Sequence, residues 1–530
     1  MGADTCDLPS DAAPVGTGCR ARIRTSALEC KRVKFPASTF AARVAASTGA
    51  APSLPATGQA VPSPEFNWSV PMSQSSRALT EIAWSALGGK TDAVNEIAFT
   101  AMGGFASAFP VADIAAAAIA TAGLAVAELA REAGGQAAHV TVDRRLSSMW
   151  FGFSLRPIDW RPPAPWDPIA GDYRARDGWV RLHTNAPHHR AAAVRVLGVE
   201  ADRDTVARAV ARWPKSELEA AIVEAGGCAA EMRSIAEWDR HAQGSALAAE
   251  PLVHMVAAEP AARPTWSLSP ERPLRGVRVL DLTRVLAGPI ATRFLAGYGA
   301  EVLRIDPPDW DEPGLVPEVT LGKRCARLDL RESRGRARFE ALLPGADVLL
   351  HGYRPGALDR LGLDSTERRR LSPGLIDVAL SAYGWSGPWA ARRGFDSLVQ
   401  MSAGIAEHGM TWKGADKPVP LPVQALDHAT GYLMAAAAIR GITCRMTQGH
   451  GVEARLSLAR TAKLLVEHAT NREEEPFAPE TESDRSAQIE LTDWGKAQRI
   501  LPPVRIGDAA MRWDHPARQL GSAAPRWLDE

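Results

Sequence analysis

The tightest constraint on this chain is residues 276–308, GVRVLDLTRVLAGPIATRFLAGYGAEVLRIDPP, which has the pattern of a β-α-β unit. Residues 277–282 form a short, mostly apolar run, as expected of a strand covered on both faces of a parallel sheet. A helix is predicted next. Pro289 suits its first turn, Ile290, Phe294 and Leu295 give a helical apolar stripe, and Gly299 is placed to end it. Residues 301–305 then supply a second strand. A strand feeding straight into a helix start suits phosphate, because free amide N–H groups and the helix dipole point at the turn. The turn reads Thr-Arg-Val-Leu-Ala-Gly-Pro rather than G-x-G-x-x-G, which disfavours a nicotinamide or flavin enzyme.

The alternation continues downstream: strand 326–330, helix 333–343, strand 347–351, helix 357–361 and strand 375–380. Right-handed crossovers between such strands predict an α/β fold with an open, mostly parallel sheet and helices on both faces. Upstream, residues 1–71 are rich in Ala, Pro, Ser, Thr and Arg with few periodic apolar positions, and a disordered leader is expected. Residues 20–43 superficially resemble a transit peptide, but an unstructured leader, with Met72 as an alternative start, is the preferred reading. Residues 72–165 are read as a helical segment, with an apolar helix at 113–130 and a strand at 139–143.

That segment has a partner 314 residues on. Asp113 meets Asp427, Arg131 meets Arg445, Gly135 meets Gly449 and Val142 meets Leu456, so an internal repeat is expected; the alternative is coincidence between two Ala-rich helices. Residues 166–270 are read as a smaller α+β domain and a Pro-rich linker (Pro260, Pro264, Pro270, Pro273), with a strand-turn-strand at 173–183 and amphipathic helices at 202–213 and 217–225. His183, His188 and His189 lack an acidic or cysteine partner at ligand spacing and read as a polar loop rather than a metal site. Residues 271–470 are the large domain. Residues 471–530 are a linker, solvated at Glu473, Glu474 and Glu475, and an extended return segment.

Five ordered stretches carry a resemblance: VLDLTRVLAGPIATRFLAGYGAEVLRID, GKRCARLDLR from Gly322, ADVLLHGYRPGALDRLGL from Ala346, LIDVALSAYGWSGP from Leu375 and GFDSLVQMSAG from Gly394. Together they resemble the class III CoA-transferases of the CaiB/BaiF type, the superfamily of formyl-CoA transferase and α-methylacyl-CoA racemase. The resemblance covers about a third of the chain and implies a Rossmann-like large domain. It implies a CoA thioester as substrate, a carboxylic acid as second substrate, and no tightly bound cofactor or metal. The nucleophile it implies is Asp427, in VQALDHATGYLMAAAAIR, with Asp113 as a possible second.

Physical chemistry fits that role: an Asp at a helix start is expected to stay ionised, and a carboxylate attacks a thioester to give a mixed anhydride. An ordinary N-cap is the plain alternative, and Asp113 is read as one. His428 adjoins Asp427 but points about 100° away on a helix. The resemblance further implies CoA contacts from Arg284, Val285, Leu286, Ala287, Lys323, Arg324, Arg354 and Arg360, since guanidinium and ammonium groups suit phosphates.

Two departures bear on mechanism. Racemase-like members place a His before the Asp of a Gly-x-Asp motif, whereas this chain has Gly394-Phe395-Asp396, and phenylalanine carries no proton. The glycine-rich loop of formyl-CoA transferases is represented only by Gly226-Gly227. Transfer is therefore preferred over racemisation or epimerisation, and a non-catalytic acyl-CoA-binding protein is the reading from a different class. The order of the segments is also rearranged relative to the family, so either a homodimer or a single-chain pseudo-dimer is expected. Lys plus Arg equals Asp plus Glu at 61 each, which gives no bulk reason to bind nucleic acid or an anionic membrane. The six cysteines form no C-x-x-C pair and read as free thiols of a cytoplasmic protein.

Overall fold

The apolar run of the organising stretch becomes a central strand because both of its faces find cover. In the computed structural model it is β2 (Arg278–Leu282), buried from Val279 onward. The structure describes residues 72–529 apart from 137, 265, 267 and 471–473. The expected leader lies outside the described residues.

Around β2 the chain builds β1 (His254–Pro260), β3 (Glu301–Asp306), β4 (Lys323–Arg327), β5 (Val348–His351), β6 (Ile376–Ser381) and β7 (His450–Ser457). They form one seven-stranded sheet in the order β4-β3-β2-β5-β6-β7-β1. All neighbours pair in parallel except β1, which runs antiparallel to β7. The first six strands follow the doubly wound order, whose switch point falls between β2 and β5.

Three local expectations need correction. Strand β4 ends at Arg327, three residues before the expected limit. Its successors Leu328, Asp329 and Leu330 leave the sheet to line a cleft. The helix expected at 357–361 is a single 3-10 turn, Asp359–Leu361, because Gly356 and Gly362 on either side both take positive φ and leave room for one turn only. Strand β1 arises inside the stretch read as small domain and linker. As an edge strand it is mostly exposed, and Pro260 at its end is tolerated there.

The helices that position the site are α1 (Val111–Glu132), α2 (Pro187–Leu197), α3 (Ala287–Gly297), α4 (Asp396–Ser402) and α5 (Ala425–Gln448). Helix α5 is buried on every side from Ala425 to Ile439. Alanines dominate it because neighbouring helices α1 and α3 pack directly along it. At Gly431 a Cβ would stand 2.4 Å from the Ala287 carbonyl oxygen of α3. Gly431→Ala should therefore push α5 off α3 and cost about 1–3 kcal/mol; a denaturant midpoint equal to that of the parent would contradict this crossing.

Helix α1 is long and apolar enough to cross a membrane by length and composition, yet 89% of its most apolar window is buried inside the fold. It starts 314 residues before α5. The strand Val140–Asp143 likewise ends 314 residues before β7, and the helix Arg144–Phe151 begins 314 residues before Leu458–Glu467.

The smaller unit is a three-stranded sheet, Gly171–Ala175, Gly178–Leu182 and Ala229–Glu231, with α2, Arg203–Val210 and Lys215–Glu224 packed on it. The C-terminal stretch returns as strands. Gly495–Arg499 pairs with Leu155–Pro157, and Val504–Ile506 pairs with Val140–Asp143. Glu474, expected in a solvated linker, instead accepts from Arg144 at 2.8 Å, because the returning chain packs over the start of α1.

Candidate active site

The carboxyl ends of β2 to β7 open onto one cleft of about 480 Å³, and Asp427 lies in its wall with Val285, Arg284, Arg354 and Phe395. This is the crevice in which open α/β sheets hold ligands. The β2–α3 turn that forms one side is strained: Val285, a β-branched residue, has φ +65°. Its N–H donates to Glu312 Oε2 at 2.8 Å, and Glu312 Oε1 accepts from Arg304 at 2.6 Å. Beneath the turn the fully buried Asp281 accepts from Lys323 at 3.0 Å and from Thr283 N–H at 2.9 Å. This internal charge network over-determines the turn and holds Val285 in place.

The eight residues expected to hold CoA separate accordingly. Arg284, Val285, Ala287 and Arg354 line the cleft with Asp427. Arg284 lies between the rings of Trp310 and Tyr353, 5.2 and 5.3 Å from their centroids. Leu286 is buried as the residue before α3. Arg360 lies outside the cleft wall but close enough for its charge to act on Arg354. Lys323 is fully buried against Asp281, and burial pushes its ammonium down to about 8. Arg324 pairs with Glu301 at 3.3 Å and the Arg526 carbonyl at 2.7 Å, away from the cleft. Lys323 and Arg324 are each claimed by a carboxylate, and sequence shows a charge but not the partner that claims it.

Asp427 is the third residue of α5 and 7% exposed. It is not the cap. That role falls to the fully buried Asp396, whose Oδ2 accepts the Asp427 N–H at 2.9 Å while Gln400 donates to its other oxygen. Gln400 in turn accepts from Leu421 N–H at 2.7 Å, so α4, the 421 loop and the start of α5 are tied together. The expectation that Asp427 stays ionised is corrected: burial, then the adjacent Asp396, push its carboxyl well up. Burial also raises Asp396, against the N–H groups it accepts. The amides that were to stabilise Asp427 are taken by its neighbour. Two buried carboxyls so placed each make the other harder to ionise.

Asp396 is the residue tied to Asp427 that sequence reasoning missed. The Gly-x-Asp motif was its signal, but only its middle position was interpreted. Phe395 faces the cleft and stacks on His183 with ring centroids 3.7 Å apart. The three histidines are not a solvated loop. His183 and His189 are buried, and His188 and His189 at the start of α2 line the cleft, because the small sheet closes over the 394–396 turn. His428 packs on Phe151, 4.9 Å between centroids, outside the cleft wall. Asp113 accepts from Ser76 at 2.6 Å and Arg144 at 3.1 Å, buried at the start of α1 and likewise outside the cleft.

A doubly wound sheet with a cleft at its carboxyl edge, and a nearly buried aspartate in the cleft wall, makes this an α/β protein of the Rossmann-like class. Residues 274–492 match the model of CoA-transferase family III. The chain is 34% identical over 195 residues to a probable fatty acyl-CoA transferase of Mycobacterium tuberculosis, covering 34% of this chain and 49% of that one. It is 32% identical over 198 residues to the succinyl-CoA–D-citramalate CoA-transferase of Chloroflexus aurantiacus, covering 35% and 49%. A crystal structure of the mycobacterial protein aligns with 39% of this chain and 56% of its own, at 32% identity and a TM-score of 0.34. The chain thus spans about half the length of these curated relatives.

Proposed function

We propose that this protein moves CoA between an acyl-CoA and a carboxylic acid, with Asp427 as the covalent nucleophile. The observation that carries the reading is the position of Asp427 in the wall of the strand-end cleft, its backbone fixed by Asp396. The transferase names of both relatives support it.

In this scheme the ionised Asp427 attacks the thioester carbonyl, the C–S bond breaks and CoA leaves as thiolate. The thiolate then attacks the aspartyl carbonyl of the mixed anhydride, releasing the donor acid and leaving an aspartyl-CoA thioester. The acceptor carboxylate attacks that thioester, and the returning thiolate takes the acceptor's acyl group and frees Asp427. Asp396 orients the helix start by accepting the Asp427 N–H, and its charge, added to burial, sets the pH at which the Asp427 carboxyl ionises. Phe395, where a racemase-like member has His, offers no proton and favours transfer over epimerisation. The 314-residue spacing of α1 and α5, and their direct packing, support an internal repeat that brings together within one chain a contact resembling a subunit interface.

The test is to trap the intermediate. Acyl-CoA followed by borohydride or hydroxylamine should modify the peptide bearing Asp427, and Asp427→Asn should abolish that adduct while Asp113→Asn leaves it. Undiminished turnover in Asp427→Asn would refute the assignment.

A further inference from the structure

Two parts of the cleft wall are held by one carboxylate that is not itself in that wall. Glu312 lies in the loop that follows β3 and is 9% exposed. Its Oε2 accepts the Val285 N–H at 2.8 Å and the Trp310 indole N–H at 3.2 Å, and both of those residues line the cleft. Its Oε1 accepts from the fully buried Arg304 at 2.6 Å. The two wall residues need this acceptor for different reasons. Val285 is β-branched and sits at φ +65°, a conformation that persists only where its surroundings hold it. Trp310 places its ring 5.2 Å from the Arg284 guanidinium, and an indole anchored at its N–H is kept from swinging off that group.

The path of the loop has a separate support. Arg327, at the end of β4, donates to the carbonyls of Pro307, Pro308 and Trp310 at 2.8, 3.0 and 2.8 Å. Arg304 has a second carboxylate in Asp306, to which it donates at 2.8 Å. What Glu312 adds to this backbone clamp is the placing of groups that face a ligand.

Resting on the transferase reading, we propose that Glu312 is a positioning residue for the acyl-CoA: it fixes the Val285 turn and the Trp310 ring as one unit, so that the thioester enters a wall already ordered. The reacting carboxyl is held separately, because the Asp427 backbone is fixed by Asp396 from α4. Loss of Glu312 is therefore felt in the binding of acyl-CoA and not in the rate of the bound complex. Glutamine at this position cannot serve both sides. Its single acceptor oxygen is drawn to the Arg304 guanidinium, and its NH2 group then meets the Val285 and Trp310 N–H groups donor to donor.

The test is a double-variant cycle on transfer kinetics. Glu312→Gln should raise the acyl-CoA KM about 10–100-fold while kcat and the acceptor KM stay put. Trp310→Phe, which keeps a ring beside Arg284 but has no N–H to donate, should give a smaller rise. The double variant should lose less than the product of the two, because one network is broken twice. Losses that multiply, or a fall in kcat with the acyl-CoA KM unmoved, would overturn the proposal. Trp310→Phe leaves the Arg304 pairing intact and carries the test alone should Glu312→Gln not fold: an acyl-CoA KM equal to the parent's would overturn it. Calorimetric titration of free CoA into the parent and Glu312→Gln reads the same effect without turnover. CoA affinity that falls in Glu312→Gln, in a protein whose parent traps no aspartyl adduct, would sink the transferase reading alone. An adduct trapped in both proteins, with equal CoA affinity, would sink the role of Glu312 alone.

Discussion

Replacing Asp427 with asparagine should lower CoA transfer by at least about 10⁴-fold, because the amide cannot form the anhydride and the groups around it position a nucleophile without replacing one. The fold should be indifferent: the contact Asp427 makes with Asp396 is through its backbone N–H, which asparagine keeps. Asp396→Asn separates positioning from charge. Its amide oxygen still accepts that N–H; burial still raises the Asp427 carboxyl, but the negative charge that adds to it is gone.

The sign follows directly. In the parent protein Asp427 takes up its proton at higher pH than an ordinary carboxyl, so the acid limb of the rate profile lies at raised pH. In Asp396→Asn the carboxyl titrates lower and the acid limb moves to lower pH. An acid limb that stays where the parent has it would mean that the pair does not titrate as one unit.

Glu318→Gln should be strongly destabilising although it lies away from the cleft. Glu318 is 2% exposed and accepts from Ser154 N–H at 3.0 Å, Leu155 N–H at 2.9 Å and Arg499 at 3.0 Å, with Arg293 as a further partner. It thereby ties three stretches distant in sequence: the segment before Leu155–Pro157, helix α3 and the C-terminal return. Removing its charge leaves the buried Arg293 guanidinium without its carboxylate and Arg499 with Glu490 alone, a loss of about 3–5 kcal/mol.

Burial alone would raise this carboxyl, but Arg293 and Arg499 outweigh it and hold it down to about 2, against 4.5 when free. A displacement of that size corresponds to about 3 kcal/mol, of the same order. Because the folded value is depressed, the contribution is complete above pH 4.5 and is lost as the pH falls toward 2. The stability gap between parent and Glu318→Gln, read from urea midpoints, should therefore be widest near neutrality and close over that acid window. A gap that is independent of pH would contradict the network.

How much of this was legible in the chain differs from residue to residue. The β2–α3–β3 unit was readable because a buried parallel strand and a helix bearing an apolar stripe each announce themselves within a few residues. The location of Asp427 at a helix start was readable for the same reason. Its protonation was not, because that depends on Asp396 arriving from 31 residues away and taking the amide first. Strand β1 escaped notice because a sheet edge leaves most of its residues exposed, so no pattern is imposed on it.

By itself the sequence determined the alternation of strands and helices, and the spacing that puts an aspartate third in each of two long helices. Both follow from local periodicity, which each segment carries alone. Only the tertiary structure decided which charges are already paired and which are left facing the cleft: Lys323 and Arg324 are consumed internally while Arg393 is not. The reason is that an ion pair is made between residues the fold brings together, and no residue encodes its own partner.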